Sequence, residues 1–395
     1  MRNLQIVNIL GRLALVNLGI AIGVNSARSL PIPAPVMPSP IAAPIPLRIT
    51  QPPSNVLDEK LWENSDDRKA LLNAIDYSLR YLQTAQAVRA YQKYPVRGVT
   101  RDRVDRSLKR FRQLILSSRS AQQLQTAVQR EFVFYQSTGK DNQGTVSFTG
   151  YFEPVHTASR VRTADYRYPL YRAPDITTWN PHPTRVELEG KDGLHNKGLL
   201  RGLELVWLHD RLEAFLVQVQ GSARLQLTDG SVMTIGVAAH TNQPYTGIGR
   251  ELVKDGKLRL EDLNLPNVVQ HFQQHPDELD SYLPRNRRFV FFQNTQGAPA
   301  TGSLGVPVTA ERSIATDKSL MPPGAIALIQ TQMPALNANR QLEQRLVSRF
   351  VLDQDTGGAI IGAGRVDVFM GSGREAGDRA GLVNATGQLY YLLLK

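Results

Sequence analysis

Asp353-Gln354-Asp355-Thr356-Gly357-Gly358-Ala359-Ile360, then Arg365-Val366-Asp367-Val368-Phe369, then Gly371-Ser372-Gly373, is the densest cluster of chemically capable side chains in the chain. Val366 and Val368 alternate with Arg365, Asp367 and Phe369, the period of two expected of a strand with unlike faces. A carboxylate in such an apolar strand costs desolvation energy, so Asp367 calls for a partner or a function. One reading pairs it outward with Arg365. Against this stands the company of Asp355 and Asp317, each beside a Gly- or Pro-rich turn of the kind that carries active-site loops.

The same texture extends upstream. Segments 146–152, 203–208, 214–219, 225–227, 232–238, 288–292, 325–330, 350–352, 366–370 and 388–394 are short, β-branched or aromatic, and bounded by Gly, Pro, Asp or Asn. Many short strands without alternating helices predict β-barrels and exclude a doubly wound sheet. A polar interval over 251–287, with one helix signal at 265–275, separates two β-units. Ahead of the strands lies a helical lead-in: one helix over 65–91, a second capped by Thr100, and a third capped by Ser120 and carrying Leu124, Val128 and Phe132. The cations of the second helix lack aromatic or glycine interleaving and read as a solvated face, with no nucleic-acid partner expected.

At 395 residues the chain predicts two domains, or one with a large insertion. A net charge of +11 favours a polyanionic neighbour: nucleic acid, an anionic membrane face or an acidic wall polymer. The absence of Cys removes disulfides, thiolate metal sites, thiol nucleophiles and a lipid-modified N-terminal Cys. Arg2 and Arg12 precede an apolar run over 13–24, followed by Asn25-Ser26-Ala27, which reads as an export signal over 1–27, either cleaved or kept as an anchor. Prolines then crowd a spacer, 28–55, whose composition favours extended chain and packs no core.

Other chemistries fit less well. Asp355-Thr356-Gly357 is an aspartic-protease triplet without a second copy, so only a homodimer would complete it. The glycines at 371–377 leave too little chain for a dinucleotide-binding unit. His271 and His275 lack a third ligand and read as solvent-facing, and Asp353-Gln354-Asp355 lacks the later oxygens of a calcium loop. No metal and no cofactor are expected.

The Asp317, Asp355 and Asp367 set resembles the 3D, three-aspartate, domain of the membrane-bound lytic murein transglycosylase A family. Further blocks occur in that family's order: Thr149-Gly150-Tyr151-Phe152-Glu153-Pro154, Tyr168-Pro169-Leu170-Tyr171, Val217-Gln218-Val219-Gln220-Gly221-Ser222-Ala223, Asn242-Gln243-Pro244-Tyr245 through Gly249-Arg250, and Phe289-Val290-Phe291-Phe292. Two features depart from it: the lipoprotein Cys is missing, and Ala223 replaces a common glycine.

The resemblance implies a mainly β fold, in which a double-psi β-barrel (56–155 with 288–395, the 3D region at about 307–395) accepts a second β-barrel as an insert over 156–287. It implies a peptidoglycan lytic transglycosylase with Asp367 as general acid and then base, and Asp355 and Asp317 orienting it or binding turn amides. Tyr151, Glu153, Gln220 and Ser222 would line the sugar groove. Arg365 would oppose a raised Asp367 pKa, so it is expected to face elsewhere or to meet substrate carboxylates. The expected setting is an exported monomer in the periplasm or cell wall, or at the outer membrane, acting on glycan strands alongside wall-synthesis or hydrolase complexes. A reading from another class is a non-catalytic, expansin-like wall binder.

Overall fold

The computed structural model describes residues 45–54, 57–194, 198–337, 339 and 341–395. The export segment, and the spacer up to residue 44, lie outside the described residues. The strands are β1 (Leu47–Thr50), β2 (Phe132–Ser137), β3 (Val146–Glu153), β4 (Val155–Ser159), β5 (Tyr168–Tyr171), β6 (Glu204–Leu208) and β7 (Ser222–Leu227). They continue as β8 (Val232–His240), β9 (Val290–Asn294), β10 (Ser313–Ala315), β11 (Ile326–Leu336), β12 (Leu342–Asp355), β13 (Arg365–Ser372) and β14 (Asn384–Leu394).

Six of these strands close into a barrel in the order β14-β11-β12-β10-β13-β3, because β14 pairs with both β11 and β3. Its first residues, Asn384 to Gly387, run antiparallel to β3, and the next ones pair with β11. Gly387 sits at the crossover, where a Cβ would strike the Gln330 carbonyl. The pairs β3–β13 and β10–β12 are parallel, and the other pairs of the ring are antiparallel. Along β13 the alternation holds: Val366, Val368 and Met370 are buried in the main core with Ile314, Leu352 and Phe148. Phe369 turns the other way, onto Tyr151, Ala300 and Val308.

β2 and β1 extend the barrel sheet beyond β14. The spacer reading therefore stops short, since Leu47 is buried in the main core and 47–50 pair with β2. Pro44 and Pro46 do not prevent this, because an edge strand tolerates proline around its first residue.

The lead-in helices cover the barrel. Thr100 and Ser120 cap as expected, accepting from the amides of Arg103 and Gln123. The single helix expected over 65–91 is instead two, Ser65–Leu82 and Ala85–Gln92, because Thr84 accepts from Ala87 N and starts a new helix. Phe132 begins β2 and lies outside the third helix, which ends at Glu131. Phe111 packs edge-on against Phe350 with ring centroids 4.8 Å apart, and burying a side chain of that size contributes roughly 1.5–3 kcal/mol. Of the cations on the second helix, Arg103 donates to the Leu394 carbonyl, while Arg110 with Glu131 and Arg112 with Asp76 form ion pairs at the surface.

A second sheet, β5-β6-β4-β7-β8-β9, is drawn from Val155 to Asn294. β9 pairs with β8 and so belongs to it, although it follows residue 287. Segment 214–219, expected as a strand, lies in the helix Arg211–Gln220. Asp210 caps that helix through Glu213 N, and Gly221 ends it in the left-handed region at φ 82°. The helix expected at 265–275 is present as Leu265–Gln274. His271 is not solvent-facing: it is buried, with Nε2 2.8 Å from Glu278 Oε2. Among the described residues no helix is long and apolar enough to cross a membrane.

Candidate active site

β13 holds Asp367 between two strands, opposite Thr149 of β3 and Ala315 of β10. The side chain keeps 21 % of its surface exposed, yet Oδ1 is buried and has no hydrogen-bond partner among the described residues. The nearest cation is Arg365, whose Nη2 lies 3.8 Å from Asp367 Oδ1 and donates to Thr149 Oγ1 at 2.9 Å. Burial pushes the Asp367 carboxyl up from 3.8 to about 6, helped by the charge of Asp355 and opposed by Arg365. Such a group can give a proton near neutrality and take it back.

Asp355 ends β12, in register with the same Ala315. Its Oδ1 accepts from the amides of Ser303 and Thr356, each at 2.8 Å, and its Oδ2 from the Tyr151 hydroxyl, also at 2.8 Å. Burial raises its pKa, and these three bonds oppose the rise. Tyr151 is itself pushed well above its ordinary range, first by burial and then by Asp355, and so remains a donor. Its ring packs against Phe369 with centroids 5.2 Å apart.

The loop between Asp355 and Arg365 is pinned from two sides. Asp317 Oδ2 accepts from Gly362 N at 2.8 Å, while its Oδ1 caps its own turn at Ser319. Burial raises Asp317, but Ser319 and the Gly362 amide outweigh it and leave the carboxyl below its ordinary value. At Gly358 the loop meets Tyr245 and Arg288, and a Cβ there would collide with the Arg288 guanidinium. Tyr245 in turn feels the charges of Asp367, Arg365 and Arg288.

Comparison with known proteins matches both parts of the chain. The MltA specific insert domain matches residues 147–293 and the 3D domain matches 312–393. The membrane-bound lytic murein transglycosylase A of Escherichia coli K12 is 32% identical over 260 residues, covering 65% of this chain and 68% of that protein. The chain belongs to the membrane-bound lytic murein transglycosylase A family. A homologue from Buchnera aphidicola is 30% identical, covering 65% of this chain and 69% of its own length. Among solved structures, E. coli MltA with bound chitohexaose superposes with a TM-score of 0.68 at 26% identity, covering 88% of this chain and 94% of that one. The Agrobacterium tumefaciens enzyme gives 0.66 at 27%, with 84% and 94% covered.

Within this family fold, the residues singled out from sequence separate into three groups. Asp367, Asp355 and Tyr151 come together. Asp317 meets the loop through the Gly362 amide. Glu153, Gln220 and Ser222 gather at the seam between β3 and the second sheet. Glu153 is buried, accepting from Ser372 Oγ at 2.6 Å, and its carbonyl from Gly373 N. Gln220 Oε1 accepts from Phe152 N at 3.0 Å, and Ser222 is buried at the start of β7. Gly150 marks a close approach: a Cβ there would meet the Ala380 backbone of the helix Arg374–Leu382.

Of the two expectations for Arg365, that it faces elsewhere does not hold. It shares the face of Asp367 and bonds Thr149, because residues two apart on a strand point the same way. Sequence reasoning also missed Lys318, Tyr245 and Arg288. Lys318 bridges the Asp353 carboxylate and the Asp355 carbonyl, fixing the end of β12. Tyr245 stood inside a quoted block without a role, and nothing local marked Lys318 or Arg288.

Proposed function

We propose that the chain cleaves the β-1,4 bond between N-acetylmuramic acid and N-acetylglucosamine in peptidoglycan and leaves 1,6-anhydromuramoyl ends. The observation that carries this reading is a carboxyl left with an open oxygen: Asp367 sits at about 6 with one oxygen unpartnered among the described residues, while Asp355, also raised by burial, has both oxygens engaged by donors. An ordinary glycosidase needs a second free carboxylate, as nucleophile or as base for water. Attack by the substrate's own C6 hydroxyl removes that need. Asp367 would donate its proton to the departing O4 as the glycosidic bond breaks, then accept the O6 proton as the anhydro ring closes. Asp355, Tyr151 and Asp317 would hold the acid's surroundings, and the seam at Gln220 and Ser222 would border the glycan.

The parallel pairs β3–β13 and β10–β12 inside a closed six-strand ring support a double-psi barrel, with the 156–287 region as its insert. The membrane-bound relatives and the apolar 13–24 run support placement in the cell envelope. Incubation with purified sacculi, followed by mass spectrometry, is expected to show 1,6-anhydromuramoyl products. Reducing-end products, or binding without release, would overturn the reading, and the latter would favour the expansin-like one.

A further inference from the structure

Among the described residues the buried guanidiniums each meet a carboxylate. Arg185 pairs with Glu189, Arg211 with Asp280 and Arg312 with Asp58. Arg288 does not. Half-buried, it donates from Nε to the Gln243 carbonyl at 2.9 Å, and neither Nη has a hydrogen-bond or ion-pair partner among the described residues. Burial draws its pKa down, and Tyr245 alone opposes that. A partly desolvated cation without a counter-ion is costly, so its place asks for a ligand.

The location limits what that ligand is. The guanidinium lies against Gly358, the side-chain-free point of the loop that joins Asp355 to Asp367. Tyr245 packs on the same glycine and feels the charges of both Arg288 and Asp367. A guanidinium fork fits a planar carboxylate best. A glycan of N-acetylglucosamine alone has no carboxylate, whereas the peptide stems of peptidoglycan carry several.

We infer that Arg288 is a specificity residue whose open guanidinium edge takes a peptide-stem carboxylate of the bound glycan. The inference rests on the transglycosylase reading of the cleft. It separates stem-bearing strands from bare N-acetylglucosamine chains at the binding step.

The test is a binding series in an Asp367→Asn background, which prevents turnover. Three probes are used: stem-bearing glycan fragments, the same fragments with stems removed to leave the lactyl carboxylate, and chitohexaose. Arg288→Gln is expected to weaken stem-bearing fragments tenfold or more, and to change the other two less than twofold. Arg288→Lys, which keeps the charge without the fork, is expected to fall between parent and Gln variant, and thermal unfolding confirms that both fold. Equal losses on all three probes, no loss on any, or a loss shared by the stem-free fragments would each overturn the assignment. Product analysis of the unsubstituted protein keeps the two ideas apart. Anhydromuramoyl release with unchanged Arg288-variant binding sinks only the Arg288 role, whereas a stem-selective loss without anhydromuramoyl release upholds that role and sinks the reaction.

Discussion

Asp353 and Asp367 lie on the two strands that flank β10, and they live differently. Asp353 is fully buried, with Thr316 Oγ1 at 2.7 Å, the Tyr391 hydroxyl at 2.7 Å and the Lys318 ammonium on its carboxylate. Asp367 has one distant arginine and an oxygen with no partner. Filling every lone pair turns a buried carboxylate into a fastener, here tying β10, β12 and β14 together. Leaving one empty preserves a group whose proton is free to move, at a cost to the fold. The same barrel supplies both, with one strand between them.

The sharpest way to break this contrast is Asp367→Asn. Turnover on sacculi is expected to fall at least 10²–10⁴-fold, with folding intact, since amide and carboxyl share a shape but only one cycles a proton. A fully active variant would move the reactive role to Asp355.

Next is Lys318→Met, which leaves Asp353 buried without its counter-ion. Urea unfolding is expected to show a loss of about 3–5 kcal/mol, the cost of an uncompensated buried charge. A loss below about 1 kcal/mol would place Asp353 among ordinary surface pairs.

Asp367→Asn has a second, opposite signature in stability. The folded-state pKa of about 6 exceeds the ordinary 3.8, so the ionised form is disfavoured by folding at any pH above 6. The variant should therefore be more stable than the parent at pH 7–8, by up to about 3 kcal/mol. That gain should shrink as pH falls through 6 and vanish below about 3.8, which a series of thermal melts would trace.

Tyr151→Phe removes one donor from Asp355, a hydrogen bond worth about 1 kcal/mol net. Turnover should drop about tenfold or less. The smallest change expected is from Arg365→Gln. On the proposed mechanism the first step uses protonated Asp367, so activity should decline as pH rises past about 6. Because Arg365 holds Asp367 down, its removal should displace that limb of the pH–rate profile to higher pH and leave the plateau nearly unchanged. An unmoved limb would separate Arg365 from the acid.

Local chemistry carried much of the fold. Val366 and Val368 around Asp367, the caps Thr100 and Ser120, and glycine-bounded short strands each express an interaction among near neighbours in sequence, so periodicity reveals them. Segment 214–219 misled because apolar, β-branched residues suit a buried helix as well as a strand. The deciding signs, Asp210 with Glu213 and Gly221, lay at its ends. The candidate acid and its loop were likewise visible as an unusual carboxylate on an apolar strand.

What sequence determined by itself was therefore most of the strands, though not β1, β2, β4, β5 or β10, and the residues worth suspecting. Which of the two aspartates has every oxygen satisfied, and that Arg288 reaches Gly358 across 70 positions of chain, were decided only in three dimensions. Burial and hydrogen-bond partnership come from residues far apart in sequence, and those two quantities set whether a carboxylate fastens the fold or keeps a mobile proton.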